Sequence, residues 1–300
     1  MNAKPIIMPP LLKASDTIGI FAPSSIIDED RFNQGVEILK ARGFKIKIHS
    51  QCYLKNKSSA GMPVDKANAL HDLIRDDEVN VILAAAGGNH AVHFLDLIDY
   101  DLLRAQPKLI GGFSDVTALL SALYAKAGIA SWHAPTVQSL CRIDEASLSS
   151  MFSVSNDVIL RGVDPIHTGQ ANGVLWGGNL AMLCALQGSD YLPNAKNSIL
   201  FIEDIGEELS RIDRMLWQVR TVLPFESLAG IIFGEFTNLQ DTGRPFGFTL
   251  DDIIDSHTRN LSIPIVKNAP IGHASRNIAL HFGRSIQLTV DGTSAQIHYT

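Results

Sequence analysis

The chain has 300 residues, 46% of them apolar and 19% charged, with a formal net charge of −6. That length and composition can fill a large core in one large domain or two smaller ones. The acidic balance, without any Lys/Arg cluster, excludes a phosphate-backbone footprint and a basic membrane-docking helix, so neither nucleic acid nor a membrane is an expected partner.

The stretch before Asp16 is interrupted by Pro5, Pro9 and Pro10, and no run in the chain approaches the ~18 apolar residues of a membrane span. From Thr17, short apolar runs alternate with helical periodicity: TIGIFAP, DRFNQGVEILKARG, FKIKIHS, VDKANALHDLIRDD and VNVILAAAGG. Strand, helix, strand, helix, strand predicts a parallel sheet covered by helices. KLIGGF, the helical DVTALLSALYAKAG and the short IASWHAP continue the pattern. Residues 1–140 are therefore expected to form an open, mostly parallel α/β domain with helices on both faces.

Residues 141–172 are polar, rich in Ser, Asp and Gly and weakly periodic, and they read as a linker or crossing segment. A second α/β domain, 173–300, restarts with GVLWGGNLAMLCALQG and NSILFIED. A helix follows in which Leu209, Ile212, Met215, Leu216 and Val219 share one face. LAGIIFGEF reads as a buried strand, TLDDIIDSHTRN as a helix, and RSIQLTVDG with SAQIHYT as a closing hairpin. Cys52, Cys141 and Cys184 are widely spaced and lack any CxxC, so neither a disulfide framework nor a zinc site is indicated, and a cytoplasmic location is expected.

Four stretches carry candidate chemistry. In open α/β sheets ligands bind beyond the carboxyl ends of the strands. Gly87 and Gly88 close a buried strand there, and their N–H groups suit an anion or oxyanion; a plain tight turn explains them as well. Ser114, with Gly112 two residues before it, resembles half of a nucleophile elbow, although the second glycine of G-x-S-x-G is missing. The competing role is helix capping, which would contribute ~1 kcal/mol. Glu203 ends the apolar run ILFI and is costly to bury without a partner. Asp204, Glu207 and Glu208 suit the N-terminal dipole of the following helix. His273 lies in APIGHASRN, which fits neither helix nor strand. His90 and His93 lack further ligand-spaced partners, so no metal is expected.

Taken together, GGFSDVTALL, LWGGNLAML, LFIEDIGEELSRIDRML and APIGHASRN, in this order and at these separations, resemble the LD-carboxypeptidase family of serine peptidases. The resemblance extends from IGIFAPSS to PIGH. It implies a Ser-Glu-His triad carried by the serine of G-x-S-D, the glutamate of I-E-D and the histidine of P-x-G-H, here Ser114, Glu203 and His273. It assigns the oxyanion-binding N–H groups to Asp115 and the Gly87-Gly88 turn. It further implies an N-terminal domain carrying the serine, a C-terminal α/β domain of swivelling β/β/α type carrying the other two, and an active site in the interdomain cleft.

The expected substrate is the murein tetrapeptide, cut between the L-centre of the diamino acid and terminal D-Ala in cytoplasmic cell-wall recycling, by a homodimer needing no metal or organic cofactor. Ala86, Asn89 and His90 stand where murein-recycling members usually carry Arg before the glycines and Tyr-Gly after them. These residues, with Trp132, are the candidate pocket. A sister branch of the family cleaves aminoacyl- or peptidyl-adenylate-like amides of the microcin C type and is the alternative reading. A binding protein that has lost catalysis is a third, opposed by the intact Ser114, Glu203 and His273. With His273 as general base, activity is expected to fall below about pH 6.5, the ordinary range of an imidazole.

Overall fold

Val81–Ala84, VILA, is buried at every position, as expected of a parallel strand covered on both faces. The computed structural model describes residues 5–153, 155–241 and 243–300. In chain order the first strands are β1 (Thr17–Phe21), β2 (Lys45–Ile48), β3 (Val81–Ala84), β4 (Leu109–Gly112) and β5 (Ser131–His133). Helices α1 (Glu29–Ala41), α2 (Pro63–Arg75), α3 (Tyr100–Ala105), α4 (Thr117–Ala122) and α5 (Glu145–Ser150) accompany them. Then come β6 (Asp157–Arg161), β7 (Asp164–His167), β8 (Gly169–Asn179), β9 (Ser198–Ile205), β10 (Gly230–Thr237) and β11 (Ile265–Lys267). Helices α6 (Leu180–Ala185), α7 (Leu209–Val222) and α8 (Leu250–Thr258) are interspersed, and β12 (Leu280–Phe282), β13 (Ser285–Asp291) and β14 (Ser294–Tyr299) end the chain.

The chain divides into two units, Met1–Val154 with Asn277–Gly283, and Ser155–Arg276 with Arg284–Thr300. The first holds a six-stranded sheet in the order β12-β5-β4-β3-β1-β2. Its first five strands are mutually parallel and β12 is antiparallel at the edge. Strand order 2-1-3-4-5 has its switch point between β1 and β3, where ligands bind in doubly wound sheets. The loops after β1 and β3 meet there, with the loop after β4 beside them. Ile18, Ile20, Val81, Leu83 and Phe32 fill the core.

Strand β12 comes from the stretch Leu280 to Gly283 and pairs with β5, setting His281 opposite Trp132. Their rings stack at 6.3 Å with an interplanar angle of 12°. The segment is also tied to α5, because Asn277 N donates to Ser147 Oγ at 2.8 Å and Ala279 N to Ser150 Oγ at 2.9 Å.

The second unit holds an eight-stranded mixed sheet, β6-β14-β13-β8-β9-β10-β11-β7. Strands β8 to β11 are parallel, whereas β13, β14, β6 and β7 are antiparallel to their neighbours. Helix α7 buries Ile212, Met215, Leu216 and Val219. The stretch expected to be a linker, 141–172, instead carries α5, β6, β7 and the start of β8. Strands β6 and β7 lie at the sheet's two edges with most positions exposed or half-buried, so they lack the apolar alternation that marks an inner strand. Among the described residues no helix is long and apolar enough to cross a membrane.

Candidate active site

In the first unit the buried strand β4 ends in Gly111 and Gly112, where a Cβ would press within 2.8 Å of Leu83 and 2.7 Å of Val116 respectively. Close packing therefore delivers the chain tightly to Phe113 and Ser114. Ser114 has φ +64°, in the left-handed region that costs a non-glycine residue about 1–3 kcal/mol when held there. It opens a 3-10 turn, Ser114–Val116, that leads into α4. Capping does not account for it, because the cap positions of the turn and of α4 are Phe113 and Val116. Ser114 is thus partly exposed on a sharp, left-handed strand-to-helix turn, a geometry shared with nucleophile elbows.

The paired glycines pack against this turn. A Cβ on Gly87 would lie 3.1 Å from Ser114 Cβ and 3.2 Å from its Oγ. Gly88 has φ +141°, and its Cβ would overlap Ser25, 2.5 Å from that residue's own Cβ. Only glycine fits there. Asp115 is buried, and its Oδ2 accepts from Ser24 Oγ and, at 2.8 Å each, from His90 N and Ala91 N. The residue after the serine thus clamps the loop that carries both glycines.

His90 Nε2 lies 2.9 Å from Ser58 Oγ. Burial first, then the positive charges of Lys66 and His93, hold its imidazole below the ordinary histidine range. Asn89 is exposed beside it. Trp132, expected in the pocket, is instead a core side chain, 2% exposed, packed in the sheet between Gly111 and His281.

In the second unit the apolar run of β9 carries Glu203 inside, fully buried. Its Oε2 lies 2.6 Å from His273 Nδ1, an ion-pair geometry with a charged imidazole. Its Oε1 has no hydrogen-bond partner among the described residues. Two glycines make room for this carboxylate. A Cβ on Gly234 would lie 3.1 Å from Glu203 Cβ, and one on Gly272 (φ +132°) would lie 3.0 Å from Glu203 Oε2.

The loop bearing His273 is fastened to β10 on either side of Gly234. Ala269 N donates to Phe233 O at 3.0 Å, and Glu235 N donates to Ile271 O at 2.9 Å. A carboxylate on Nδ1 holds the proton there and leaves Nε2 as the basic nitrogen.

The other acids of this stretch divide differently from the sequence expectation. Glu208 occupies the cap position of α7, and Glu207 pairs with Arg211 at 3.0 Å. Asp204 does not serve α7. It accepts from Asn179 Nδ2 at 2.8 Å and Ala181 N at 3.0 Å, tying β9 to the start of α6. Burial pushes its carboxyl up to about 6 despite these donors. The remaining paired histidines are local fasteners: His49 meets Asp72, His71 accepts from Asp99 N, His257 meets Asp213 and His298 meets Asp157. Among the described residues no group of three or more His, Cys, Asp or Glu could hold a metal ion.

Sequence reasoning missed Ser24 and Lys66. Lys66 is 1% exposed on α2, and its Nζ donates to Ser24 O at 2.8 Å. The signal was its place on the apolar stripe of α2 with Ala69, Leu70 and Leu73, all buried.

Two family models match the chain in succession. The LD-carboxypeptidase N-terminal domain covers residues 18–134, which include Ser114, and its C-terminal domain covers residues 172–288, which include Glu203 and His273. This chain belongs to the LD-carboxypeptidase family. A probable murein peptide carboxypeptidase of Bacillus subtilis (strain 168) is 29% identical over 298 residues, spanning 96% of this chain and 93% of that protein. The microcin C7 self-immunity protein of Escherichia coli is 26% identical over 339 residues, spanning 99% and 97%. The solved structure of muramoyltetrapeptide carboxypeptidase from Oxalobacter formigenes shares the fold with a TM-score of 0.85 at 24% identity, covering 94% of this chain and 98% of that one.

Proposed function

We propose that this LD-carboxypeptidase family member is a serine peptidase that removes terminal D-Ala from murein tetrapeptide by a Ser114-Glu203-His273 triad. The observation that carries the reading is the 2.6 Å contact between buried Glu203 and His273 Nδ1. A buried carboxylate on one imidazole nitrogen equips the other for proton transfer. The left-handed φ of Ser114 supports the nucleophile.

Ser114 Oγ attacks the amide carbonyl between the L-centre of the diamino acid and D-Ala, and its proton passes to His273 Nε2. Glu203 stabilises the imidazolium. The tetrahedral oxyanion is met by the N–H groups of Asp115 and the Gly87-Gly88 turn. The C–N bond then breaks, His273 returns the proton to the departing D-Ala amine, and water hydrolyses the acyl-serine by the same route in reverse.

Cell-wall peptide is favoured as substrate by the murein peptide carboxypeptidase among the relatives. Cytoplasmic location and a homodimer accord with the family resemblance, and the three free cysteines accord with a reducing compartment. Ala86, Asn89 and His90 depart from the loop usual in murein-recycling members, which keeps a microcin C-type adenylate-amide hydrolase as the second reading, and a microcin C7 self-immunity protein is among the relatives. Mass spectrometry of murein tetrapeptide incubated with the wild type and with Ser114→Ala tests the first reading. Loss of D-Ala with the wild type alone is expected. No cleavage by folded wild type moves the substrate to adenylate-type amides.

A further inference from the structure

A buried lysine stands behind the Ser114 turn, and the reaction as written does not use it. Lys66 Nζ donates to Ser24 O at 2.8 Å, and that oxygen also accepts from Ala60 N at 3.1 Å. The hydroxyl of the same Ser24 donates to Asp115 Oδ2. One residue therefore joins a buried ammonium on its carbonyl to a buried carboxylate on its side chain. Neither charge touches the other directly, yet Asp115 draws Lys66 toward the charged form while burial pulls its amine down to about 8. An uncompensated buried charge is costly, so the two charges hold the intervening serine in place.

What Ser24 and Asp115 hold in turn is the oxyanion loop. Asp115 accepts from His90 N and Ala91 N, Ser25 N donates to Gly87 O at 3.3 Å, and the missing side chain of Gly88 leaves room for Ser25. Gly87 lies against Ser114. We propose that Lys66 is a positioning residue for the reaction: through Ser24 it holds Asp115 on the His90-Ala91 backbone and so fixes the Gly87-Gly88 turn and the Asp115 N–H around the developing oxyanion. The proposal rests on Ser114 being the nucleophile.

The test measures the rate and the endpoint of Ser114 labelling by a fluorophosphonate, with kcat and KM on murein tetrapeptide, for wild type, Lys66→Met, Ser24→Ala and the double variant. The endpoint counts folded, competent sites, so a merely structural defect lowers the endpoint and leaves the rate per site. Misplaced oxyanion donors lower the rate itself. The expected result is a labelling rate and kcat each reduced about 10- to 100-fold in both single variants, with KM within about twofold. The double variant should lose little more than either single one, as members of one array do. Unchanged rates per site, or a rise in KM alone, overturn the proposal. If Lys66→Met does not fold, Ser24→Ala decides by the same criteria. A wild type that neither labels at Ser114 nor cleaves any amide removes the nucleophile reading first, which a labelled wild type with unaffected variants does not.

Discussion

Glu203, with no exposed surface, presents Oε2 to His273 Nδ1 at 2.6 Å while its Oε1 meets no partner among the described residues. A group kept for stability would have both oxygens satisfied. Its single contact, to the imidazole, fits the proposed role of orienting His273. Glu203→Gln keeps the shape but loses the charge that stabilises an imidazolium, so kcat should fall about 10³- to 10⁴-fold. Thermal unfolding should change little, since the Gln amide oxygen can accept the same Nδ1–H from a neutral imidazole and so leaves no buried charge unpaired. A variant that melts much earlier, or that retains activity, would show the pair to be structural.

The room around that carboxylate depends on Gly272. At φ +132°, with a Cβ 3.0 Å from Glu203 Oε2, alanine would strain the backbone and push the carboxylate from the ring. Gly272→Ala should cost about 1–3 kcal/mol in urea unfolding. It should also lower kcat at least tenfold. Wild-type activity in that variant would mean that the loop relaxes without moving His273.

Much of this was legible in the chain. The apolar runs of β1, β3, β4, β9 and β10 announce themselves because inner parallel strands are buried on both faces. The four ordered motifs carry the family, whose two domain models match residues 18–134 and 172–288. Strands β6 and β7 stayed hidden because edge strands need only a weak apolar face. Three-residue β12 was hidden for another reason: its meaning lies in pairing with β5, more than a hundred residues away, which also explains His281 through its stacking on Trp132. Trp132 looked like a pocket residue because a strand end is near a site, but alternation along β5 does not reveal which residues the sheet covers. Lys66 shows the opposite failure, since a charge on an apolar stripe is easily taken for a surface residue when its partner, Ser24, is a distant loop carbonyl.

The same lysine leaves a mark on the pH dependence of stability. Its amine is lowered from 10.5 to about 8 by burial. Between about pH 8 and 10.5 the unfolded chain retains a proton that the folded chain has released, so this group makes stability rise with pH in that window. Below pH 8 both states are protonated and the contribution is flat. Urea unfolding of wild type and Lys66→Met at pH 7.5 and 9.5 should show the wild type gaining on the variant at the higher pH. Parallel behaviour would place a charged, solvated amine at this position.

His90 separates the work of a backbone from that of a side chain. Its N–H holds Asp115, and alanine retains that N–H; its ring meets Ser58 and lies partly exposed on the loop beside Ser114. Its imidazole is held below the ordinary range and is neutral at pH 7, so it offers a peptide a hydrogen bond rather than a charge. His90→Ala should therefore leave the rate of Ser114 labelling by a small fluorophosphonate within about threefold. For the tetrapeptide, which reaches farther from the reacting carbonyl, KM should rise about 3- to 10-fold with kcat largely kept, the signature of lost uniform binding. A labelling rate that falls with KM unchanged would show that the ring, and not only the backbone, shapes the Gly87-Gly88 turn proposed to meet the oxyanion.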